Sequence, residues 1–206
     1  MTSEPFRSQL AALESRGRLR RLIPRAGRDF ASNDYLGLAA DPIIGQAVAD
    51  AVARGVPVGS GGSRLLRGNA PEHEGLEAKA ATFFRTQAAL FMANGFAANL
   101  ALFATLPQRG DLIVADELIH ASVHDGIRMS KARAVFARHN DVQSFADKIA
   151  HWRAEGGKGS VWIAVETLCS MDSDIAPLTD LAALATRNEA MQMMDQAHGT
   201  GVFRPY

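Results

Sequence analysis

The chain has 206 residues, 47% of them hydrophobic, and its 22 basic residues balance 22 acidic ones. This composition is typical of a globular domain and lacks the basic excess of nucleic-acid binders, so no nucleic-acid partner is expected. The one cysteine, Cys169, excludes an internal disulfide framework and favours the cytoplasm. The amino terminus lacks a secretory pattern, and the most apolar window is interrupted by Asn94, Gly95 and Asn99, so no membrane partner is expected.

A basic arm opens the chain, and Pro24 with Gly27 ends it. It carries Arg16, Arg18, Arg20, Arg21, Arg25 and Arg28. The pattern then predicts a helix from Pro42 to about Arg54, with Asp41 as the N-cap. A glycine-rich loop over 59–63 and a helical pattern over 71–85 follow.

Short apolar runs alternate with helical patterns over the rest of the chain. Strands are predicted at 88–92, 112–115, 133–137, 161–165 and 191–194, and helices at 95–105, 121–130, 141–154 and 177–188. This alternation predicts an α/β fold with a mostly parallel sheet covered by helices on both faces. We therefore divide the chain into a basic arm, 1–35, and a large domain, 36–206, that is incomplete because its last sheet edge lacks cover.

A polar cluster, Asp195 to Gly201, follows the last predicted strand, where ligands of open α/β sheets bind. The motifs of three other kinds of site are absent from the sequence. They are GxxxxGK[ST] of phosphate loops, GxGxxG of dinucleotide sites and GxSxG of nucleophile elbows. His120 and His124 have the spacing of a metal pair, but no third ligand is evident, so no metal is expected.

Nine segments in one order resemble the α-oxoamine synthase family of pyridoxal-phosphate (PLP) enzymes. They are 32–38 (SNDYLGL), 59–64 (GSGGSR), 73–77 (HEGLE), 95–99 (GFAAN), 120–122 (HAS), 139–141 (HND), 170–174 (SMDSD), 176–178 (APL) and 195–201 (DQAHGTG). The resemblance implies an aspartate aminotransferase-like fold and a homodimeric acyltransferase when full length. Its substrates would be an acyl-CoA or acyl-carrier thioester and an amino acid, which it condenses with loss of carbon dioxide.

Within that family, the segments are most similar to the branch that makes 8-amino-7-oxononanoate from a pimeloyl thioester and L-alanine in biotin biosynthesis. Glycine C-acetyltransferase, 5-aminolevulinate synthase and serine palmitoyltransferase are the alternatives within the family. A non-catalytic remnant or partner subunit is the alternative outside catalysis.

Two parts of the cofactor site also have a physical basis. Asp195 ends a predicted buried strand, and a carboxylate beside the pyridine nitrogen of PLP favours the protonated nitrogen. By itself, an aspartate there is more often a helix cap or a turn residue. Gly95 and Phe96 open a helix whose free N–H groups suit a phosphate.

The resemblance implies further roles. His198 would bind the phenolate oxygen of the cofactor, His120 would stack on its ring and contact the substrate, and Ser170 would reach the cofactor. Asn33 would lie near the amino-acid carboxylate, and Arg20 would meet the far carboxylate of the acyl chain. Catalysis would thus involve His120, Asp195 and His198.

The chain departs from the family in its lysines. The family holds PLP through a lysine well after the aspartate motif, whereas this chain has only Lys79, Lys131, Lys148 and Lys158. The small C-terminal domain is also absent, so this chain alone is expected to be inactive. We also expect it to fold poorly alone, because it would expose a sheet edge and a dimer face. Ser173 stands where the family has a glycine, which costs about 1 kcal/mol or more if the turn needs a positive φ.

Overall fold

The computed structural model describes residues 4–24 and 26–202, so Arg25 of the predicted arm lies outside the described residues. The chain divides into two compact units at the boundary between Tyr35 and Leu36. The first unit contains one helix, α1 (Glu4–Ser15), followed by irregular chain whose described arginines are all exposed.

Two helices come first in the second unit, α2 (Pro42–Ala53) and α3 (Pro71–Phe84). The Asp41 carboxylate accepts a hydrogen bond from the Ile43 N–H at 2.8 Å, which confirms the predicted N-cap. A 3₁₀ turn precedes α2 and one π-helical turn precedes α3. Neither α2 nor α3 contains a buried residue.

The strand predicted over 88–92 is wrong, since this segment belongs to no ladder among the described residues. Its backbone groups bind side chains instead: the Phe91 N–H donates to Glu77 at 2.8 Å, and Arg64 donates to the Phe91 carbonyl at 3.2 Å. A strand needs a neighbouring strand for its hydrogen bonds, and apolar composition alone does not supply one.

The other predicted strands and helices are confirmed, each with ends within one residue of the prediction. The helices are α4 (Gly95–Thr105), α5 (Ala121–Met129), α6 (Val142–Ala154) and α7 (Leu178–Arg187). The strands are β1 (Leu112–Asp116), β2 (Arg133–Ala137), β3 (Val161–Glu166) and β4 (Met191–Asp195). They form one parallel sheet in the order β2-β1-β3-β4, so all four carboxyl ends meet at one edge.

The core lies on both faces of this sheet, as predicted for the α/β fold. Every residue of the central strands β1 and β3 is buried. Side chains alternate between the faces: Leu112 and Val114 pack with α6 and α7, whereas Ile113 and Ala115 pack with α4 and α5. The sheet and its four helices therefore supply their own core.

A close approach between α4 and α5 depends on Gly126. A Cβ atom built at Gly126 would lie 2.7 Å from the Cβ of Phe103 and 3.1 Å from the carbonyl oxygen of Asn99. Glycine is therefore required for the two helices to touch at this distance. This contact sets the first turn of α5 beside Asn99.

None of the helices in the described part of the chain combines the length and the apolar character needed to span a bilayer.

Candidate active site

Polar side chains gather at the edge of the sheet where the four strands end. Asp116 ends β1, Glu166 ends β3 and Asp195 ends β4, and Glu166 is the register partner of Asp195. This is the edge at which open α/β sheets bind ligands. Parallel register alone brings these carboxylates, distant in sequence, to one place.

Asp195 is held on both carboxylate oxygens. Asn99 donates from Nδ2 to Oδ2 at 2.7 Å, and the Ala197 N–H donates to Oδ1 at 2.9 Å. The second bond orders the turn that carries His198. Asp195 therefore also acts as a turn aspartate, which is the alternative role for an aspartate after a strand. The Asp195 side chain is only partly buried. The prediction that Asp195 ends a buried strand is wrong, because β4 lies at the edge of the sheet and none of its residues is buried.

His120 is the N-cap of α5, and its Nδ1 atom lies 2.7 Å from the Ser122 hydroxyl. Asn99 also donates from Nδ2 to this hydroxyl, at 3.0 Å. The structure thus joins two predicted site residues, His120 and Asp195, through Asn99 and Ser122. Both of these residues lie within the family-like segments 95–99 and 120–122, and the sequence pattern alone indicates no role for them.

The amino end of α4 supplies backbone donors at the same edge. Asn94 caps the helix by accepting from the Ala97 N–H at 2.8 Å. The described residues provide no acceptor for the N–H groups of Gly95 and Phe96. Asn99 lies four residues further along α4, about 6 Å along the axis. Two free donors therefore lie about one helical turn from the Asn99–Asp195 hydrogen bond.

Ser170 lies in a turn after β3, closed by a bridge between Leu168 and Ile175. Its N–H donates to the buried Glu166 carboxylate at 2.7 Å. Ser173, in the same turn, has a φ of 59°. The turn therefore needs a positive φ at this position. Serine is costly there, because this left-handed backbone favours glycine.

His139 bridges two carboxylates next to this turn. Its Nδ1 atom lies 2.7 Å from Asp116 Oδ1, and its Nε2 atom lies 3.0 Å from Asp174 Oδ1. Burial lowers the pKa of His139, but the hydrogen bonds to Asp116 and Asp174 outweigh it, so the pKa is raised. The bond from His139 is also the main cause of the lowered pKa of Asp174. This bridge, which the sequence analysis missed, ties the ends of β1 and β2 to the turn of Ser170.

In the pair His120 and His124, the His124 ring packs 5.0 Å from Phe136 and the Nδ1 of His120 bonds to Ser122. A different set, His139, Cys169 and Asp174, has ligand atoms within 4.8 Å of one another. In this set both ring nitrogens of His139 already have hydrogen-bond partners, Asp116 at Nδ1 and Asp174 at Nε2.

A cavity of about 490 Å³ runs along β4 between the sheet and α4. Apolar side chains such as Leu102, Phe103 and Met193 line most of it. Asn99 and Asp195 stand among its lining residues and supply its polar groups near the carboxyl edge. The candidate site therefore combines a polar end with an apolar groove.

None of the four lysines lines the cavity beside Asp195. Lys131 and Lys158 precede the first residues of β2 and β3, at the opposite, amino-terminal edge of the sheet. Lys148 lies within α6 and Lys79 within α3.

Arg20 and Asn33 belong to the first compact unit. Arg20 is exposed, and the Asn33 side chain accepts from the Tyr35 hydroxyl at 3.4 Å. Their predicted substrate contacts stay predictions.

Comparisons with known proteins give matches to a family, to curated relatives and to solved structures. The family model described as aminotransferase class I and II matches residues 27–206. An 8-amino-7-oxononanoate synthase of Anaeromyxobacter sp. is 41% identical over 210 residues, which cover 96% of this chain and 52% of that protein. The chain thus spans about half the length of the curated relatives it matches.

Two solved structures share the fold. A serine palmitoyltransferase from S. paucimobilis with a bound PLP–myriocin aldimine is 25% identical, with a TM-score of 0.80, over 94% of this chain and 52% of that one. An 8-amino-7-oxononanoate synthase from Francisella tularensis is 27% identical, with a TM-score of 0.62, over 82% and 44% of the two chains.

Proposed function

Because the chain belongs to the aminotransferase class I and II family, we propose that it forms the amino-terminal half of the PLP site of an α-oxoamine synthase. Such an acyltransferase condenses an acyl thioester with an amino acid and releases carbon dioxide. The observation that carries the proposal is Asp195 at the end of β4, hydrogen-bonded to Asn99 beside His120.

The residues at the carboxyl edge fit the two charged ends of PLP. The open N–H groups of Gly95 and Phe96, at a helix amino end, suit the phosphate. The Asp195 carboxylate suits the pyridinium nitrogen, since a nearby negative charge stabilises the protonated form. When bound, PLP supplies an electron sink for the carbanion that forms at the amino-acid substrate.

Other residues would orient the ligands. His120 would stack on the ring and contact the substrate, His198 would bind the phenolate oxygen, and Ser170 would reach the cofactor from its turn. Asn33 would bind near the amino-acid carboxylate, and Arg20 would bind the far carboxylate of the acyl chain. His120, Asp195 and His198 would thus be the catalytic residues of this half.

The finer proposal is the condensation of a pimeloyl thioester with L-alanine, in biotin biosynthesis in the cytoplasm. The names of the relatives from Anaeromyxobacter and Francisella support this branch. The serine palmitoyltransferase match supports another α-oxoamine synthase as the alternative. Full length, the protein would act as a homodimer.

The placement of the lysines supports a further part of the proposal, that this chain alone is inactive. No lysine lines the cavity beside Asp195, so the chain would hold PLP without a covalent bond. The same observation favours a second candidate, a non-catalytic partner of a lysine-bearing subunit. The two candidates differ in whether this chain forms a stable heterodimer with such a subunit.

Equilibrium dialysis of PLP against the chain tests the site. We expect saturable binding, and no borohydride-stable adduct at any single lysine. Asp195→Asn should weaken binding about tenfold or more, because a hydrogen-bonded charge is lost. Asp180→Asn, at an exposed position on α7, is the matched control and should leave binding unchanged.

Equal binding by wild type and Asp195→Asn would overturn the assignment of the site, as would no binding at all. Incubation of the chain with PLP, L-alanine and pimeloyl-CoA should give no 8-amino-7-oxononanoate. Formation of that product would refute the inactivity of the isolated chain.

A further inference from the structure

Four side chains form one continuous line of hydrogen bonds at the carboxyl edge of the sheet. The line runs from Asp195 Oδ2 to Asn99 Nδ2 at 2.7 Å, then to Ser122 Oγ at 3.0 Å, then to His120 Nδ1 at 2.7 Å. It connects β4, α4 and α5. The proposed function gives the two inner members, Asn99 and Ser122, no contact with the cofactor or the substrate.

The direction of each bond follows from the donors that each group carries. Asn99 must present its NH₂ group to Asp195. In the flipped orientation its carbonyl oxygen would face a carboxylate oxygen, and neither oxygen has a hydrogen to donate. The second hydrogen of that NH₂ group points to Ser122 Oγ. The hydroxyl therefore accepts from Asn99, and its single hydrogen is available to His120.

His120 is then fixed in one tautomer. Its Nδ1 atom accepts from the Ser122 hydroxyl and also from the Ser122 N–H, at 3.2 Å. A hydrogen on Nδ1 would face two donors, so the ring carries its hydrogen on Nε2. His120 can then donate from Nε2, and it has no open nitrogen at which to accept a proton.

The packing of α5 on α4 keeps the line in place. Ser122 is fully buried, at 0% exposure, and Gly126 one turn later allows the close approach to Asn99. Buried polar groups with all partners in place hold a single arrangement. Ser122 therefore has little freedom to reorient, and its hydroxyl lies 3.0 Å from Nδ2 of the half-buried Asn99.

We infer that Asn99 and Ser122 are positioning residues that couple Asp195 to His120, holding the Asp195 carboxylate in place and His120 as a neutral Nε2–H donor. His120 thereby binds an acceptor oxygen of the ligand, such as a carboxylate or a thioester carbonyl, and does not act as a general base. The part that concerns ligands rests on the proposed function, whereas the tautomer does not.

The test is NMR of the histidine side-chain nitrogens in the ¹⁵N-histidine-labelled 206-residue chain without PLP at pH 8, with His120 assigned by His120→Gln. Wild type should show His120 as the Nε2–H tautomer. Ser122→Ala should lower the ratio of the Nε2–H to the Nδ1–H tautomer about fivefold, because the variant loses one neutral hydrogen bond to Nδ1. Asn99→Ala should change this ratio in the same direction, and Thr105→Ala, an exposed position on α4, should not change it.

An Nδ1–H tautomer in wild type would overturn the inference without any variant. It is also overturned if neither variant changes the tautomer ratio. A second readout is PLP affinity, which Asn99→Ala should lower about fivefold although Asn99 is not assigned a ligand contact. Absence of PLP binding in wild type would count against the proposed function and leave the tautomer result standing.

Discussion

Helices α2 and α3 differ from the sheet region, residues 95–195, in what covers their apolar side chains. Ile43, Val48 and Phe83 are 77%, 61% and 58% exposed, whereas Phe145 and Ile163 are 0% exposed. Both regions have regular secondary structure with clear starts. The difference lies in packing, because the sheet supplies a buried face to its helices and no described element buries a residue of α2 or α3.

This difference shows that an amphipathic pattern determines where a helix forms but does not determine whether its apolar face is covered. Apolar side chains exposed along two helices in succession are typical of a surface that another protein surface covers. The dimer face predicted for the full-length protein is one such cover, and it stays a prediction.

The largest expected difference between the regions is the cost of removing an apolar side chain. Phe145→Ala should lower the free energy of unfolding by about 3–5 kcal/mol, because it leaves a cavity in the core beneath the sheet. Val48→Ala on α2 should change it by less than about 0.5 kcal/mol. Urea unfolding at equal m values measures both, and a comparable loss in Val48→Ala would show that α2 is covered in solution.

Helical glycines give the second comparison. Gly126→Ala should lower the free energy of unfolding by about 1–3 kcal/mol, because the new Cβ overlaps Phe103 and the Asn99 carbonyl. Gly75→Ala in α3 should raise it by about 1 kcal/mol, since its Cβ meets nothing within 4 Å and alanine favours helix. Effects of the same sign in these two variants would contradict the packing described for α4 and α5.

A third prediction concerns strain within the sheet region. Ser173→Gly should raise the free energy of unfolding by about 1 kcal/mol, because glycine adopts a φ of 59° without the Cβ penalty. Ser173→Ala keeps the Cβ and is the matched control, so it should bring no gain. An equal gain in both variants would trace the effect to the hydroxyl rather than to the backbone.

The smallest expected effect is a pH dependence that differs between the two regions. His139 has a raised pKa in the folded protein, so its contribution to stability is complete below about pH 6.5 and is lost as the pH rises through the raised value. Thermal unfolding of wild type should show a fall in Tm of about 2 °C from this source between pH 6 and pH 9. His139→Gln should remove that fall, and His151→Gln, at an exposed position, should retain it.

In α3, Glu77 gives stability a pH dependence of the opposite sense. Hydrogen bonds from Arg64 and from the Phe91 N–H lower the pKa of Glu77 to about 2. Its contribution is therefore present above about pH 4.3 and is lost as the pH falls towards 2. Glu77→Gln should flatten the acid side of the Tm profile and leave the alkaline side unchanged.

The segment 88–92 shows why one element of the fold was mispredicted. Its apolar run resembles the runs of β1 and β3, but a strand is defined by pairing, and the pairing partner is not encoded within the run. The Asp41 N-cap was predictable, because it depends on a few adjacent residues. The positive φ of Ser173 was only a condition, raised by the glycine that the resembling family has there.

The sequence alone determined the bounds of the helices and of the four paired strands, because local periodicity and capping residues encode them. It also placed Asp195 and His198 at the carboxyl edge of the sheet, since they follow a predicted strand. Tertiary structure decided which polar groups touch. Asn99 meets Asp195 across 96 residues, and His139 meets Asp174 across 35. Such contacts depend on strand register and on the approach that Gly126 allows, and neither is visible in a local pattern.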